Sequence, residues 1–148
     1  MPANAIRIDA DGVATAVTLP EDGGTELNRT LRTVLGGTPE RAVYHPGSLV
    51  WVHGDGQSQG LAPNLTAWTL ASAWRGMPLP YQLYGTVIVT GRDDSGESVP
   101  LDHRLAGQVH TVAGTVTETM SGWRQRPPAS TDAAIRELVA YAIRDITA

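Results

Sequence analysis

Cysteine is absent from this 148-residue chain, which excludes a disulfide framework, a thiolate nucleophile and a cysteine-ligated zinc site. Stability must come from packing and hydrogen bonding. Lysine and phenylalanine are missing too: all eleven basic side chains are arginine, and four tryptophans and four tyrosines are the only large rings available to fill an interior. Both absences suit GC-rich codon usage of the kind found in actinobacteria and their phages. Charge is sparse as well. Charged residues make up 18% of the chain and sum to −4, too weak and scattered a field to attract a nucleic-acid backbone or to imitate one. No run approaches the roughly 18 apolar residues that span a bilayer, and residues 1–11 lack the basic-then-apolar pattern of a secretion signal. These absences predict a cytoplasmic protein without membrane association and argue against nucleic acid as a partner.

An apolar fraction of 41% is enough for one core, since a domain of this length buries about 70% of its unfolded surface. Residues 5–9 and 13–19 alternate apolar with polar around Asp11-Gly12, the strongest short hairpin signal. Leu27, Leu31, Val34 and Leu35 have helical spacing, which predicts a helix over 25–35 with Thr25 as its cap and Gly36-Gly37 at its end. Residues 41–44 and 49–53 read as strands joined by His45-Pro46-Gly47, followed by a glycine-rich loop over 54–60. Asn64 is a good N-cap for a second helix with Leu65, Trp68, Ala71 and Trp74 on one face, stopped by Arg75-Gly76. Val87, Ile88 and Val89 form an apolar run suited to a central strand, and Asp93-Asp94-Ser95-Gly96 forms a turn. Leu105, Val109, Val112 and Val116 keep a helical period, while Gly107, Gly114 and the threonines favour a strand after about residue 109. Pro127-Pro128 mark a linker. The last helix begins at Thr131, with Ile135, Leu138, Val139, Ala142, Ile143 and Ile146 on one stripe and Asp132 beside Arg136.

The candidate chemistry concentrates between residues 51 and 84. Gly56-Gln57-Ser58-Gln59-Gly60 has the G-x-S-x-G pattern of a nucleophile elbow, which would make Ser58 a hydrolase nucleophile served by His53 or His103. An elbow needs a helix straight after the serine, however, and Gly60 to Pro63 intervene. Gly54, Gly56 and Gly60 lie between a strand and a helix, where backbone N–H groups can cradle phosphate, although their spacing is not that of a dinucleotide site. A ligand pocket there would draw on Trp51, His53, Asp55, Gly56, Ser58, Asn64, Trp68 and Tyr84, with the rings stacking on a base. His45, His53, His103 and His110 have no metal-ligand spacing, so neither a metal site nor a cofactor is expected. Trp123, flanked by Arg124 and Arg126 beside the prolines, is expected to be exposed and to meet a partner. Arg29 and Arg32 share a helix face that solvent alone explains.

The run Gly60-Leu61-Ala62-Pro63-Asn64-Leu65-Thr66-Ala67-Trp68, then Tyr84-Gly85-Thr86-Val87-Ile88-Val89-Thr90-Gly91, then Val99-Pro100-Leu101 resembles an uncharacterised bacterial and phage family known as domain of unknown function 3846, over residues 4–105. The shared positions shape backbone, so the resemblance implies a phage, plasmid or actinobacterial setting and no activity. The sequence thus predicts an α+β core over residues 1–122, with a mixed or antiparallel sheet of about five strands and two or three helices. Residues 123–148 are expected to form a linker and a C-terminal helical arm. The expected role is a non-enzymatic binding or accessory protein acting on a protein partner or self-associating through its last helix. Alternatives are a binder of a small nucleotide-like ligand at loop 54–60 and a small hydrolase centred on Ser58.

Overall fold

A computed structural model describes residues 3–21 and 24–147. The first alternating segments form the expected hairpin, β1 (Ala5–Ile8) against β2 (Ala14–Val17), with Ala5 opposite Val17 and Ile8 opposite Ala14. Gly12 closes its turn at φ 95°, a conformation that side chains disfavour. Next comes α1 (Gly24–Leu35), which buries Leu27, Leu31 and Leu35 and ends where Gly36 N–H bonds Arg32 O. Thr25 sits within its first turn and not before it, so it is not the cap; the two preceding residues lie outside the described part. A second hairpin follows, β3 (Pro39–His45) with β4 (Ser48–His53), carrying a bulge between Ala42 and His45. The remaining elements are α2 (Leu65–Arg75), β5 (Val87–Arg92), β6 (Ser98–Val99), α3 (His103–Trp123) and α4 (Thr131–Thr147).

All strand pairs are antiparallel, in the order β2-β1-β5-β4-β3, with β6 against the end of β5. The apolar run 87–89 takes the centre of this sheet, because only there are both faces covered: Val87, Ile88 and Val89 are fully buried. Val87 and Val89 join Ile6, Ile8, Val50 and residues of α2, α3 and α4 in the main core. Ile88 faces the other way and packs with Leu19 and the α1 leucines. The fold is therefore α+β, its sheet lying between one helix and three.

Where the sequence left helix and strand open, burial decides. α3 is continuous over 21 residues, with Gly107 and Gly114 on its exposed side. A glycine costs about 1 kcal/mol in a helix, whereas burying each of Leu105, Val109, Val112 and Val116 returns about 1.5–3 kcal/mol. α2 is wrapped more completely than a single apolar face requires: Thr66, Thr69 and Ser72 are buried too. Thr69 Oγ1 donates to Leu65 O, and Ser72 Oγ accepts from Leu79 N–H. The α4 stripe packs within its own chain, placing Leu138, Val139 and Ala142 in the main core, with Ile135, Ile143 and Ile146 partly buried against it. Arg136 donates to the main-chain oxygen of Asp132 at 3.3 Å, not to its carboxylate. Among the described residues, no helix is long and apolar enough to cross a membrane.

One buried side chain joins these layers. Asn64 is fully buried. Its Oδ1 accepts from Ala67 N–H at 3.0 Å and caps α2, while its Nδ2 donates to Ile8 O and Gly85 O at 3.0 and 2.9 Å. Asn64→Ala removes a cap and two further hydrogen bonds from the buried carboxamide to Ile8 O and Gly85 O, which should lower the unfolding free energy by about 3 kcal/mol. Chemical denaturation of the variant measures this, and a loss below about 1 kcal/mol would show that the side chain does not couple the layers.

Candidate functional site

The alternation of β3 turns Glu40 and Ala42 toward the helix-rich side of the sheet near its edge, and Tyr44 joins them beyond the bulge. Together with Val52, residues 81–84 and the start of the glycine-rich loop they line a cleft of about 310 Å³. The 81–84 wall is held by Asn64 N–H, which donates to Leu83 O at 2.7 Å. Gly56 closes one end; a Cβ there would lie 3.1 Å from Tyr84 Cβ, so a larger residue would have to push loop and wall apart by a few tenths of an ångström. Buried Tyr44 and half-exposed Tyr81 share a hydrogen bond between their hydroxyls at 2.8 Å. Burial, then the Tyr81 hydrogen bond and the fields of Tyr81 and Glu40, push the Tyr44 pKa well above its ordinary value, with the Arg75 guanidinium opposing. Tyr44 is thus a neutral phenol. Glu40 is the only carboxylate among the lining residues, and no guanidinium is among them.

The glycine-rich loop is closed on itself. Gly54 N–H goes to Thr38 O, Asp55 N–H to His53 Nδ1, Gly56 N–H to His53 O, Gln59 N–H to Asp55 O and Gly60 N–H to Gln57 O. Donors engaged in this way do not form a phosphate cradle. Ser58 is exposed, and its hydroxyl donates to Asp55 O at 3.0 Å; α2 begins only at Leu65, so the strand-to-helix elbow is not formed. His53 accepts from Asp55 N–H and lies close against Gly37, where a Cβ would collide with its ring.

Of the eight residues expected to form a ligand pocket, His53, Gly56 and Tyr84 line the cleft. The others do not converge there. Trp51 is on the α1 side, its Nε1–H donating to Thr90 Oγ1 at 3.1 Å; Trp68 is 1% exposed inside the main core; Asn64 is a structural cap. Asp55 is exposed on the loop beside Ser58. Trp123, expected at the surface, is half-buried against the core with its indole nitrogen covered and unbonded. Arg126 shares a groove with it between α3 and α4, and Arg124 is exposed at the end of α3. Sequence reasoning passed over Glu40, Tyr44, Gln57 and Gln82 as site residues. Glu40 lay just outside the strand expected over residues 41–44, and it reaches the cleft through pairing with Val52 and through the approach of residues 81–84, some forty positions away. Among the described residues, no group of three or more histidines and carboxylates is placed to hold a metal ion.

No protein-family model matches the chain, and comparison with curated proteins and with solved structures found no match.

A second polar cluster surrounds His45. Its ring lies 5.4 Å from that of Trp74, whose Nε1–H donates to Gln108 Oε1 at 2.8 Å. Gly47 N–H donates to His45 Nδ1 at 3.0 Å, a bond that requires this nitrogen unprotonated. Burial, then the nearby Arg104 guanidinium, lowers the His45 pKa below 6.5. The unfolded chain therefore takes up this proton first as pH falls below 6.5, and the fold loses the corresponding stability down through the lowered value. His45→Gln should reduce the drop in urea midpoint between pH 7.5 and pH 5.5; an equal drop in both proteins would show that His45 is not its source.

Proposed function

We propose that the protein is a non-catalytic binding protein and that the tyrosine-lined cleft beside β3 holds its ligand, a small molecule with a flat apolar body and a cationic or neutral hydrogen-bonding end. The observation that carries this reading is the Tyr44–Tyr81 hydroxyl pair at 2.8 Å, with Tyr84 and Glu40 among the same lining residues. Tyrosine rings offer apolar area with a polar tip and attract cations to their faces, and the Glu40 carboxylate adds charge of the matching sign. A phosphate-bearing ligand fits less well, because five of the loop's seven backbone donors are engaged and the lining lacks a guanidinium. Catalysis fits less well too: a proton-abstracting tyrosine needs a lowered pKa, and burial moves Tyr44 the other way. An accessory role in a phage or plasmid setting rests on the family resemblance alone.

A second reading, capture of a protein partner, draws on the groove between α3 and α4, where Trp123, Arg126 and Tyr141 meet Arg144, its guanidinium 4.8 Å from the Tyr141 ring centre.

Thermal-shift measurements on the full chain test the cleft reading against the nucleotide alternative, with tyramine as the aromatic amine and AMP as the nucleotide probe. Tyramine should raise the melting temperature through mass action, by about 2.7 kcal/mol of stabilisation at a hundred times its Kd. Glu40→Gln and Tyr84→Ala should each remove most of the shift while the proteins stay folded. No response to millimolar amine would defeat the cleft reading, and a response to AMP would favour the nucleotide alternative.

A further inference from the structure

The sheet has two open edges, and they differ in kind. β3 is guarded: Pro39 has no N–H to offer, Glu40 and Arg41 place charge on exposed positions, and the bulge between Ala42 and His45 interrupts the regular ladder. Sheets use such features to discourage an added strand. β2 has none of them. Residues 13–19 contain neither charge nor proline, and Val13, at 53%, Thr15 and Ala16 are exposed.

Hydrogen bonding determines which groups on β2 face outward. Asp9 N–H donates to Val13 O at 3.0 Å, which marks residues 9 and 13 as a bonded pair. Antiparallel alternation then makes Arg7 with Thr15, and Ala5 with Val17, bonded pairs as well. The N–H and C=O groups of Ala14 and Ala16 consequently point away from β1. Among the described residues, nothing bonds to them.

The sequence of this edge complements itself. Residues 13–17 read Val-Ala-Thr-Ala-Val in either direction. Two copies set antiparallel about a twofold axis at Thr15 place Ala14 of each opposite Ala16 of the other, and these are the residues whose outward groups can exchange bonds. Thr15 then faces its own copy across the axis, and Val13 faces Val17. Threonine and β-branched pairs of this sort stabilise adjoining strands, and no like charges come opposite one another over residues 11–19. We propose that a second copy of this chain adds to β2 in this register, joining the two sheets into one. The cleft beside β3 lies on the opposite edge and stays open in such a dimer.

A cysteine-free chain makes the register directly testable. Thr15 is a non-bonded position on the axis, where facing Cβ atoms come within about 4.5–5.5 Å, near disulfide reach. Under mild oxidation Thr15→Cys should form a covalent dimer about tenfold faster than Thr33→Cys on the exposed side of α1, because pairing raises the effective thiol concentration. Ala16→Cys, which pairs with residue 14, should behave like the Thr33 control. Sedimentation of the unmodified chain at about 0.1 mM should give twice the 15.7 kDa protomer mass. Ala16→Pro, which removes only an outward N–H, and Thr15→Lys, which sets two ammonium groups face to face, should each give folded monomers by circular dichroism and sedimentation. The proposal is overturned by a monomeric parent, by a dimer that survives both variants, or by Thr15→Cys linking no faster than the control. Growth beyond two copies would also overturn it, since a twofold contact closes at the dimer.

Discussion

The carboxamide of Asn64 is the constraint on which the arrangement of layers depends. A side chain with one acceptor and one two-proton donor reaches three segments far apart in sequence: the end of β1, the glycine before β5 and the first turn of α2. Its own N–H adds a fourth tie, to Leu83. Buried amide groups cost on the order of 1–3 kcal/mol each when unpaired, so no small sliding of α2 over the sheet is available without breaking several such bonds together. The position of α2 in turn sets how Trp68 and its neighbours fill the core, and the Leu83 tie holds one wall of the cleft.

Packing around this anchor tolerates one imperfection. The Trp68 indole N–H is buried without a partner, a penalty of about 1–3 kcal/mol. The ring nevertheless removes roughly 150–250 Å² from water, worth about 4–6 kcal/mol at 25 cal/mol per Å². Area wins, and in a chain without phenylalanine this ring is one of few that could supply it. The same scarcity gives the cleft its character. Tyrosines line a partly exposed wall where a phenyl ring would leave no polar tip, and burial keeps Tyr44 protonated and available for hydrogen bonding.

Local signals succeeded wherever a single side chain or turn carried the information. The Asp11-Gly12 hairpin, the Asn64 cap, the Gly76 stop at φ 78° and the central placement of 87–89 all took the expected form. They failed where a distant neighbour decided the outcome. Gly107 and Gly114 weakened the helical reading of α3, yet they lie on its solvent side, where a missing side chain leaves no cavity. Trp123 appeared surface-bound from its arginine neighbours, but the α3–α4 packing covers it. Within the candidate site, His53, Gly56 and Tyr84 were legible as a loop and an aromatic near one another in sequence. Glu40 and Tyr44 were not, because strand pairing and the β3 bulge bring them alongside residues 81–84.

The order of the amino acids alone determined most of the element types, the Asp11-Gly12 turn, the Asn64 cap, the absence of disulfide chemistry and the α+β class, since these follow from side-chain periodicity and from the φ angles that particular residues accept. Tertiary structure alone decided which rings converge on a cleft, that the glycine-rich loop closes on itself, that α4 packs within its own chain, and which strands are left at the edges. Each of those outcomes depends on contacts between residues dozens of positions apart, and the free energy of such contacts exists only once the chain has been brought together.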